Sequence, residues 1–313
     1  MSGLPDGLVV FGASGFVGRN FVAATQGKVD RLIGVTTTGE PVAGCDETVA
    51  LDGLDCLSPL PADTAIVHFA AFRYDSQRFA LAQSDIIAAN ASLNGRIYQF
   101  AAERGIGEVR AASSVAVYPG SLAIMDDAVA LDLNQAPHPN EAFYAWSKRW
   151  LELLAKLHAD RFGINTIAFR LSNPYGPHDS TNPSKAHVAP AFVMKALDRA
   201  EVFEIRGDPA VERDFTFVGD VVDIFTQSLN VRGCNDAYNL CTGATSTLTT
   251  LAETVMSVAG VTKPIRAGIP GAFGPAVRRS TADRLKADFN YQPTPLRDGM
   301  TATVEWYRHA FNP

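Results

Sequence analysis

Residues 8–18 read Leu-Val-Val-Phe-Gly-Ala-Ser-Gly-Phe-Val-Gly, and this stretch decides the fold. An apolar, strand-like run, Leu8–Phe11, leads into three glycines, and a helix-length segment, Phe16–Gln26, follows at once. Glycine permits the tight turn that lets backbone N–H groups approach a pyrophosphate, and the helix N-terminus favours the anion. A plain strand–helix turn is the alternative, but glycines between a strand and a helix favour a dinucleotide site. The predicted contacts are Gly12, Gly15, Phe16, Val17 and Gly18.

Strand-length apolar runs alternate with helix-length segments through the first half of the chain, which is typical of βαβ units in a parallel sheet. We expect strands at Leu8–Phe11, Arg31–Thr36, Thr64–His68, Glu108–Ser113, Asn165–Leu171 and Ala237–Leu240. Helices are expected at Phe16–Gln26, Gln83–Arg104 and Tyr144–Phe162. The pattern predicts an α/β protein with a Rossmann-type, doubly wound parallel sheet.

The sequence pattern changes after Asn173, where prolines and polar residues interrupt the alternation of strand-length and helix-length segments. Ligands of such sheets collect at the carboxyl edge, so a proline-rich segment leaving that edge is a candidate cap over a site. We expect a dinucleotide-binding domain at 1–173 plus 220–242. A smaller, discontinuous C-terminal substrate lobe would then comprise 174–219 plus 243–313.

The end of the second strand normally indicates which dinucleotide binds, through an acid for a ribose hydroxyl or an arginine for a 2′-phosphate. Here Thr36 is followed by two more threonines, so the choice between NAD and NADP stays open. Asp52, after the next strand-like run, is a candidate for the adenine edge of the cofactor, although a solvated turn aspartate is an equally simple interpretation.

Composition excludes several other classes of function. The 313 residues carry a formal net charge of −6 with no basic stripe, so we expect no nucleic-acid partner. The four cysteines lack metal-ligand spacing, and no metal is expected. Apolar runs such as Ala65–Ala71 are far shorter than the ~20 residues of a membrane span. With no basic segment or cleavage signal in the first ten residues, we expect no membrane association and a cytoplasmic location.

Tyr144 and Lys148 lie four residues apart in a predicted helix and project from one face. A tyrosine with a pKa near 10 is a poor base at neutral pH, but a nearby ammonium and a positive nicotinamide ring would lower that pKa. Ser114 follows a predicted strand and could hydrogen-bond the same substrate oxygen. Such a pair often only decorates a helix, but the upstream glycines favour a proton-transfer triad.

Five segments follow one another between residues 12 and 218: Gly12-Ala13-Ser14-Gly15-Phe16-Val17-Gly18, Ser113-Ser114-Val115-Ala116-Val117-Tyr118, Tyr144-Ala145-Trp146-Ser147-Lys148, Arg170-Leu171-Ser172-Asn173-Pro174-Tyr175-Gly176-Pro177 and Arg213-Asp214-Phe215-Thr216-Phe217-Val218. In this combination the chain resembles the extended short-chain dehydrogenase/reductases that act as nucleotide-sugar epimerases, dehydratases and 4-keto reductases. The resemblance implies a nicotinamide cofactor, NAD or NADP, and a nucleotide-sugar substrate. It also implies that the serine and tyrosine handle the C4 oxygen while hydride moves between C4 and the nicotinamide.

The same resemblance assigns further residues. It places Ala70, Ala71 and Asn90 near the cofactor. It places Asn173 and Arg213 at the sugar nucleotide, with a second phosphate contact at Arg278 or Arg279. The loop 175–190 is similar to that of the GDP-L-fucose synthases, which implies substrate contacts at Lys185, His187 and Val188. In those enzymes the histidine matching His187 works with a cysteine in epimerisation.

The residues after Ser114 narrow the chemistry. Dehydratases of this family place an aspartate and a glutamate there, and decarboxylases a glutamate, whereas this chain has Val115 and Ala116. Neither side chain can carry a proton, so both reactions are disfavoured. Ala116 also replaces the cysteine of the fucose synthases, which puts epimerisation at C3 or C5 in doubt. His187 could still orient the substrate or donate a proton, or be a loop histidine bonded to backbone.

Hydride transfer at C4 remains, in one of two forms. A 4-epimerase needs no group beyond the triad and is the expectation we place first. The fucose-synthase-like loop favours the alternative, an NAD(P)H-dependent reductase of 4-keto-6-deoxy nucleotide sugars. A non-catalytic dinucleotide-binding protein and an enzyme for a non-nucleotide carbonyl also stay open. The resemblance further implies a homodimer formed by the two long helices, whose apolar residues include Ile86, Ile87, Leu93, Ile97, Trp150, Leu153 and Leu157.

Overall fold

The computed structural model describes residues 3–72, 83–183, 186–269 and 279–311. Its strands are β1 (Gly7–Phe11), β2 (Arg31–Thr36), β3 (Glu47–Ala50), β4 (Thr64–His68), β5 (Glu108–Ser114), β6 (Ile124–Met125), β7 (Asn165–Leu171), β8 (Phe203–Arg206), β9 (Glu212–Arg213), β10 (Asp236–Leu240), β11 (Ser246–Thr247), β12 (Ile265–Ile269) and β13 (Arg279–Ser280). Its α-helices are α1 (Phe16–Thr25), α2 (Gln83–Glu103), α3 (Ala142–Phe162), α4 (Val188–Leu197), α5 (Val218–Ser228), α6 (Leu248–Ala259), α7 (Asp283–Phe289) and α8 (Leu296–Phe311).

Seven strands form one parallel sheet in the order β10-β7-β5-β4-β1-β2-β3. The chain winds outward from β1 in one direction and then returns to place β4 on its other side. A crevice therefore opens between the carboxyl ends of β1 and β4, where doubly wound sheets bind their ligands. The predicted Rossmann-type α/β architecture is confirmed.

Both faces of the sheet are covered, which is why its central strands are continuous apolar runs rather than alternating ones. Leu8 and Val10 of β1 pack in one core with Phe21 of α1 and Phe225 of α5. On the opposite face, Val9 and Phe11 pack in a second core with α2 and α3. Successive side chains of a strand point to opposite faces, so one five-residue strand contributes to both cores.

The six strands expected from sequence are present, with ends shifted by at most one residue. The sequence pattern missed β3 and the 3₁₀ turn Leu51–Cys56 that follows it. Helix α3 begins at Ala142, two residues before the expected start, because the 3₁₀ turn Pro139–Glu141 leads directly into it. These differences lie at element ends, where local sequence signals are weakest.

The C-terminal part of the chain has a third core, built from α4, α6 and α8. It includes Val193, Leu251 and Val304, each fully buried. Segments 174–219 and 243–311 together supply these elements. The exact domain division expected from sequence remains a prediction. In the part of the chain that the structure describes, no helix is long and apolar enough to cross a membrane.

Helix α2 exposes less apolar surface than we expected for the predicted dimer contact. Ile86, Leu93 and Ile97 are at most 5% exposed; Leu93 and Ile97 pack in the core against the sheet of their own chain, and Ile86 lines the cavity described below. Trp150 and Leu157 of α3 are different, with 40% and 49% of their surface exposed. Helices α2 and α3 were predicted to form the dimer contact. Within their described residues, α3 carries most of the exposed large side chains.

Candidate active site

A cavity of about 570 Å³ lies at the carboxyl edge of the sheet, over the crevice between β1 and β4. It extends from the glycine turn after β1 to the ends of β5 and β7 and the start of α4. Its walls include the predicted residues Gly12, Gly15, Phe16, Val17, Gly18, Thr36, Ala70, Ala71, Ser114, Tyr144, Lys148, Asn173 and His187. The fold thus brings residues from distant parts of the sequence into one site.

The glycine turn is compact enough to require glycine at two positions. Gly12 has φ +81°, a conformation that L side chains rarely adopt, and its N–H donates to Val35 O at 2.9 Å. A Cβ on Gly18 would lie 2.0 Å from Gly12 O, so α1 could not approach β1 so closely. The first-turn N–H groups of a helix have no intrahelical acceptor, and those of Phe16 and Val17 belong to residues lining the cavity. This arrangement fits a dinucleotide pyrophosphate.

The end of β2 is neutral. Thr36 and Thr37 line the cavity, and Thr36 Oγ1 accepts a 2.9 Å hydrogen bond from Gly39 N–H. Asp52 lies in the turn after β3 and is exposed; its neighbour Leu51 lines the cavity, whereas Asp52 does not. The strand end therefore has neither the acid nor the arginine that would select one dinucleotide.

Asn90 does not line the cavity itself. Its side chain instead hydrogen-bonds to the backbone beside the cavity. Its buried side chain donates to Phe72 O at 3.0 Å and accepts from Phe72 N–H at 2.9 Å. It thereby holds the chain just after Ala70 and Ala71, which line the cavity. In this structure Asn90 fixes the loop beyond β4.

Ser114, Tyr144 and Lys148 meet at the end of β5. Lys148 Nζ lies 5.9 Å from the centroid of the Tyr144 ring and donates a 2.7 Å hydrogen bond to Ala112 O. The lysine side chain is almost fully buried, so its charge acts through a medium of lower dielectric than water. Ser114 Oγ accepts from Ala116 N–H at 3.2 Å. This geometry can deliver a proton to an oxygen lying between the serine and the tyrosine.

A buried histidine and a buried asparagine support the part of α3 that carries Tyr144 and Lys148, and neither was predicted from sequence. His68 Nε2 lies 3.0 Å from Asn94 Oδ1, and Asn94 Nδ2 donates to Ser147 O at 3.3 Å. Ser147 Oγ in turn donates to Tyr144 O at 2.7 Å. Burial, with a smaller contribution from the Lys148 charge, lowers the pKa of His68 to about 3. A neutral His68 therefore connects β4 to the helix that carries Tyr144 and Lys148.

A second support lies under Ser114. Glu152, one turn beyond Lys148, accepts a 2.6 Å hydrogen bond from Ser113 Oγ and forms a two-bond ion pair with Arg170 at 3.0 and 2.7 Å. Arg170 also donates to Tyr118 Oη at 2.8 Å. The network ties β5, β7 and α3 together directly below the triad. Its residues resemble ordinary helix and strand positions in sequence, so only the fold reveals their contact.

The residues flanking Ser114 offer no proton-transfer group. Val115 and Ala116 are buried and apolar, and Val115 lines the cavity. The structure adds one carboxylate that sequence reasoning missed, Glu141, which precedes α3 and lines the same cavity as Tyr144. Glu141 is the N-cap residue of α3, with a non-helical backbone, so helical spacing to Tyr144 gave no sequence signal for it.

The substrate loop places His187 in the cavity wall, immediately before α4. Its Nδ1 lies 3.0 Å from Oδ2 of Asp179, a buried carboxylate. Val188 is half-buried as the first residue of α4. Two further predicted substrate contacts, Lys185 and Arg278, lie outside the described residues.

Asn173 and Arg213 occupy different surroundings. Asn173 lines the cavity with φ +36°, and its amide donates to Asp214 O at 3.0 Å. Arg213 in β9 is half-buried, donates to Glu212 O at 2.7 Å and does not line the cavity; burial lowers its pKa. Arg279 contacts the Glu212 carboxylate at 3.1 Å. The cavity as it stands therefore includes the asparagine and not the arginines.

Metal chemistry has no preformed site within the described ranges. No group of three or more histidine, cysteine, aspartate or glutamate side chains is arranged there to hold an ion. The polar groups that converge on the cavity are instead hydroxyls, amides, a carboxylate, an imidazole and one buried ammonium.

A model of the NAD dependent epimerase/dehydratase family matches residues 8–241. The chain belongs to this family, and it is an NAD(P)-dependent enzyme of the extended short-chain dehydrogenase/reductase type. The matched range includes the glycine turn, Ser114 and the Tyr144–Lys148 pair.

Individual relatives differ in their reactions. The chain is 28% identical to a dTDP-4-dehydro-6-deoxy-D-allose reductase of Streptomyces bikiniensis over 320 aligned positions, which cover 96% of each chain. It is 25% identical to GDP-L-fucose synthase 1 of Arabidopsis thaliana, with 72% of this chain and 70% of the relative covered. The UDP-glucose 4-epimerase of Thermotoga maritima, solved with UDP-glucose, has the same fold, with a TM-score of 0.83 at 20% identity over 97% of this chain and 99% of the other.

Proposed function

We propose that the protein is an NAD(P)H-dependent reductase that converts the C4 carbonyl of a 4-keto-6-deoxy nucleotide sugar to a hydroxyl. The groups around Ser114 fit hydride transfer at C4 by a reductase and by an epimerase alike, because Val115 and Ala116 provide no acid–base pair for removing a hydroxyl. The observation that carries the choice of a reductase is the likeness, over 96% of each chain, to a reductase of Streptomyces bikiniensis. From sequence we placed a 4-epimerase first and this reductase second, and we now reverse that order.

The triad would act on the C4 oxygen. A bound nicotinamide supplies hydride to C4. Tyr144 donates its hydroxyl proton to the oxygen, and Ser114 hydrogen-bonds the same atom. Lys148, with Nζ 5.9 Å from the tyrosine ring, stabilises the phenolate that remains. Because Lys148 also donates to Ala112 O, its charge stays fixed on the β5 side of the ring.

The apolar neighbours of Ser114 argue against loss of water from the sugar. Elimination needs an acid for the leaving hydroxyl and a base for the carbon proton, each typically worth 10²–10⁴-fold in rate. The positions that carry those groups in dehydratases are Val115 and Ala116, both buried. Glu141 and His187 also line the cavity, but neither occupies the two positions after Ser114 that carry this pair in dehydratases.

A 4-epimerase is the second candidate, because hydride removal and return need only Ser114, Tyr144 and Lys148. The two candidates differ in what happens to the cofactor. An epimerase returns it unchanged in each turnover, whereas a reductase consumes one NAD(P)H for each product.

Substrate binding follows the same proposal. Asn173, at the cavity wall, would contact the sugar nucleotide. Arg213 and Arg278 would contact the diphosphate, and Lys185 and Val188 would lie beside the substrate. Burial lowers the pKa of Arg213, but a guanidinium retains its charge at neutral pH and favours an anionic partner such as a diphosphate.

The test offers the purified enzyme 4-keto-6-deoxyhexoses linked to dTDP or GDP, with NADPH or NADH, and follows cofactor absorbance and product by NMR. Stoichiometric oxidation of the cofactor with formation of a C4 alcohol is expected. A parallel incubation with UDP-, GDP- and dTDP-hexoses and NAD tests the second candidate. A C4 epimer without net cofactor change, and no turnover of the keto sugars, would overturn the reductase proposal.

A further inference from the structure

One acidic side chain stands directly behind the cavity wall at His187. Asp179 has a side chain that is 5% exposed, and its Oδ2 lies 3.0 Å from His187 Nδ1. Its other oxygen, Oδ1, accepts a 2.7 Å hydrogen bond from Ser180 N–H. A buried carboxylate needs such donors because desolvation without them is costly.

The loop that carries Asp179 is fixed from two sides. Asn20, in the helix that follows the glycine turn, donates to Pro177 O at 2.8 Å. From the C-terminal helix α8, Tyr307 Oη donates to Ser180 O at 2.8 Å, and the Trp306 ring lies 5.1 Å from that of His178. Asp179 is therefore held in place by both the cofactor-binding part and the C-terminal part of the chain.

The contact has a chemical consequence for the imidazole ring. A carboxylate accepts hydrogen bonds, so the neutral ring must carry its proton on Nδ1 to make the 3.0 Å contact. Nε2 then bears the lone pair. Carboxylates fix the tautomer and ring orientation of functional histidines in this way in triads and metal sites. Because His187 shares the cavity with Ser114 and Tyr144, its tautomer decides whether the ring accepts from the sugar or donates to it.

We propose that Asp179 is a positioning residue that holds His187 as the Nδ1–H tautomer, so that Nε2 accepts a hydrogen bond from a sugar hydroxyl and orients the C4 carbonyl toward Tyr144. The inference rests on the proposed function for its substrate. The hydrogen-bonded pair itself depends only on the geometry of Asp179 and His187.

The tautomer is measured without substrate. Protein labelled with ¹⁵N-histidine is examined by NMR, and the His187→Gln variant assigns the signals of this ring among the six histidines. The proton is expected on Nδ1 in the wild type, with a shift toward a mixture of tautomers in Asp179→Asn. A wild-type ring protonated on Nε2 would overturn the inference and leave the reductase proposal untouched.

Turnover gives an independent readout. Asp179→Asn keeps an oxygen for Ser180 N–H but no longer demands a donor from Nδ1, and a loss of about 10–100-fold in kcat/KM is expected. In His187→Gln, the side-chain amide offers an acceptor without the help of Asp179. Adding Asp179→Asn to that variant should therefore cause no further loss. The same loss in both backgrounds would assign Asp179 a purely structural role.

A matched control is Asp208→Asn. Asp208 caps an exposed turn by accepting from Ala210 N–H at 2.9 Å and lies outside the cavity lining. It should leave both kcat/KM and the His187 signal unchanged. If the wild type reduces no keto sugar, the proposed function fails, and the tautomer measurement still decides the Asp179–His187 pair.

Discussion

Lys148 Nζ donates a 2.7 Å hydrogen bond to the carbonyl oxygen of Ala112, two residues before Ser114. The bond joins the second turn of α3 to the last part of β5, and so fixes the lysine and tyrosine relative to the serine. A parallel strand ends at the sheet edge where ligands bind, whereas a helix beside it can slide. This contact, with the Glu152–Ser113 bond one turn further along, removes that freedom.

Tyr144→Phe should remove the proton donor while leaving cofactor and substrate binding intact. We expect kcat to fall by at least ~10², the usual contribution of a positioned acid–base group, with little change in KM. Ser114→Ala should act in the same direction but more weakly, since the serine only positions the shared oxygen. Steady-state kinetics on the turned-over substrate measure both, and wild-type kcat in Tyr144→Phe would contradict the assignment.

Gly15 and Gly18 should respond differently to substitution. A Cβ on Gly18 would lie 2.0 Å from Gly12 O, so Gly18→Ala should destabilise the turn itself and lower the melting temperature. A Cβ on Gly15 would meet only Gly12 O, at 3.2 Å. Gly15→Leu should therefore fold but fill the pyrophosphate position and abolish dinucleotide binding, as measured by calorimetry. Wild-type affinity in a folded Gly15→Leu protein would show that the cradle is assigned wrongly.

His68 should make the fold sensitive to acid. Its pKa is lowered to about 3 in the folded protein, against an ordinary value of 6.5. Between these values the unfolded chain binds the proton and the folded chain does not, so stability falls as pH falls below about 6.5. The slope is about 1.4 kcal/mol per pH unit well inside this window. In His68→Gln the free energy of unfolding, measured with denaturant from pH 7 to 4, should fall less steeply than in the wild type; an unchanged slope would contradict a neutral buried histidine.

The exposed face of α3 predicts self-association. Phe143, Trp146, Trp150, Leu153 and Leu157 recur every three or four residues and are 37–49% exposed. This stripe suits a helix that packs against a second copy through a two-fold contact. We expect the mass of a homodimer by light scattering at micromolar concentration and that of a monomer for Trp150→Glu. Leu122→Glu, at an exposed site outside α3, is the control. A monomeric wild type would exclude the dimer.

The local sequence was sufficient to predict those features whose residues all lie within one short segment. The Gly12–Gly18 pattern lies between a strand and a helix, and the Tyr144–Lys148 spacing fits a single helical face. The sequence at Thr36 also correctly predicted that the end of β2 carries no charged side chain. Such features depend on backbone geometry within a few residues, so they can be recognised without knowing what packs against them.

Other site residues depend on contacts between distant segments. His68 and Asn94 are 26 positions apart, and Ser113 and Glu152 are 39 apart. A buried polar residue has no distinct sequence signature, because its partner is chosen by the packing of strands and helices. The same holds for Asn90, whose amide holds the Phe72 backbone rather than facing the cavity.

The sequence by itself predicted six strands of the central sheet and the glycine turn between β1 and α1, and it proposed the Ser114–Tyr144–Lys148 triad, because each depends on hydrophobic period or on spacing within short segments. Only the tertiary structure decided that Asp179 stands behind His187, that Ile86 and Ile97 pack inward while Trp150 remains exposed, and that Lys148 is held to Ala112. Those outcomes depend on which faces meet when the sheet twists and the helices cover it. The physical reason is that burial and hydrogen bonding are properties of pairs, and a linear sequence specifies only one member of each pair at a time.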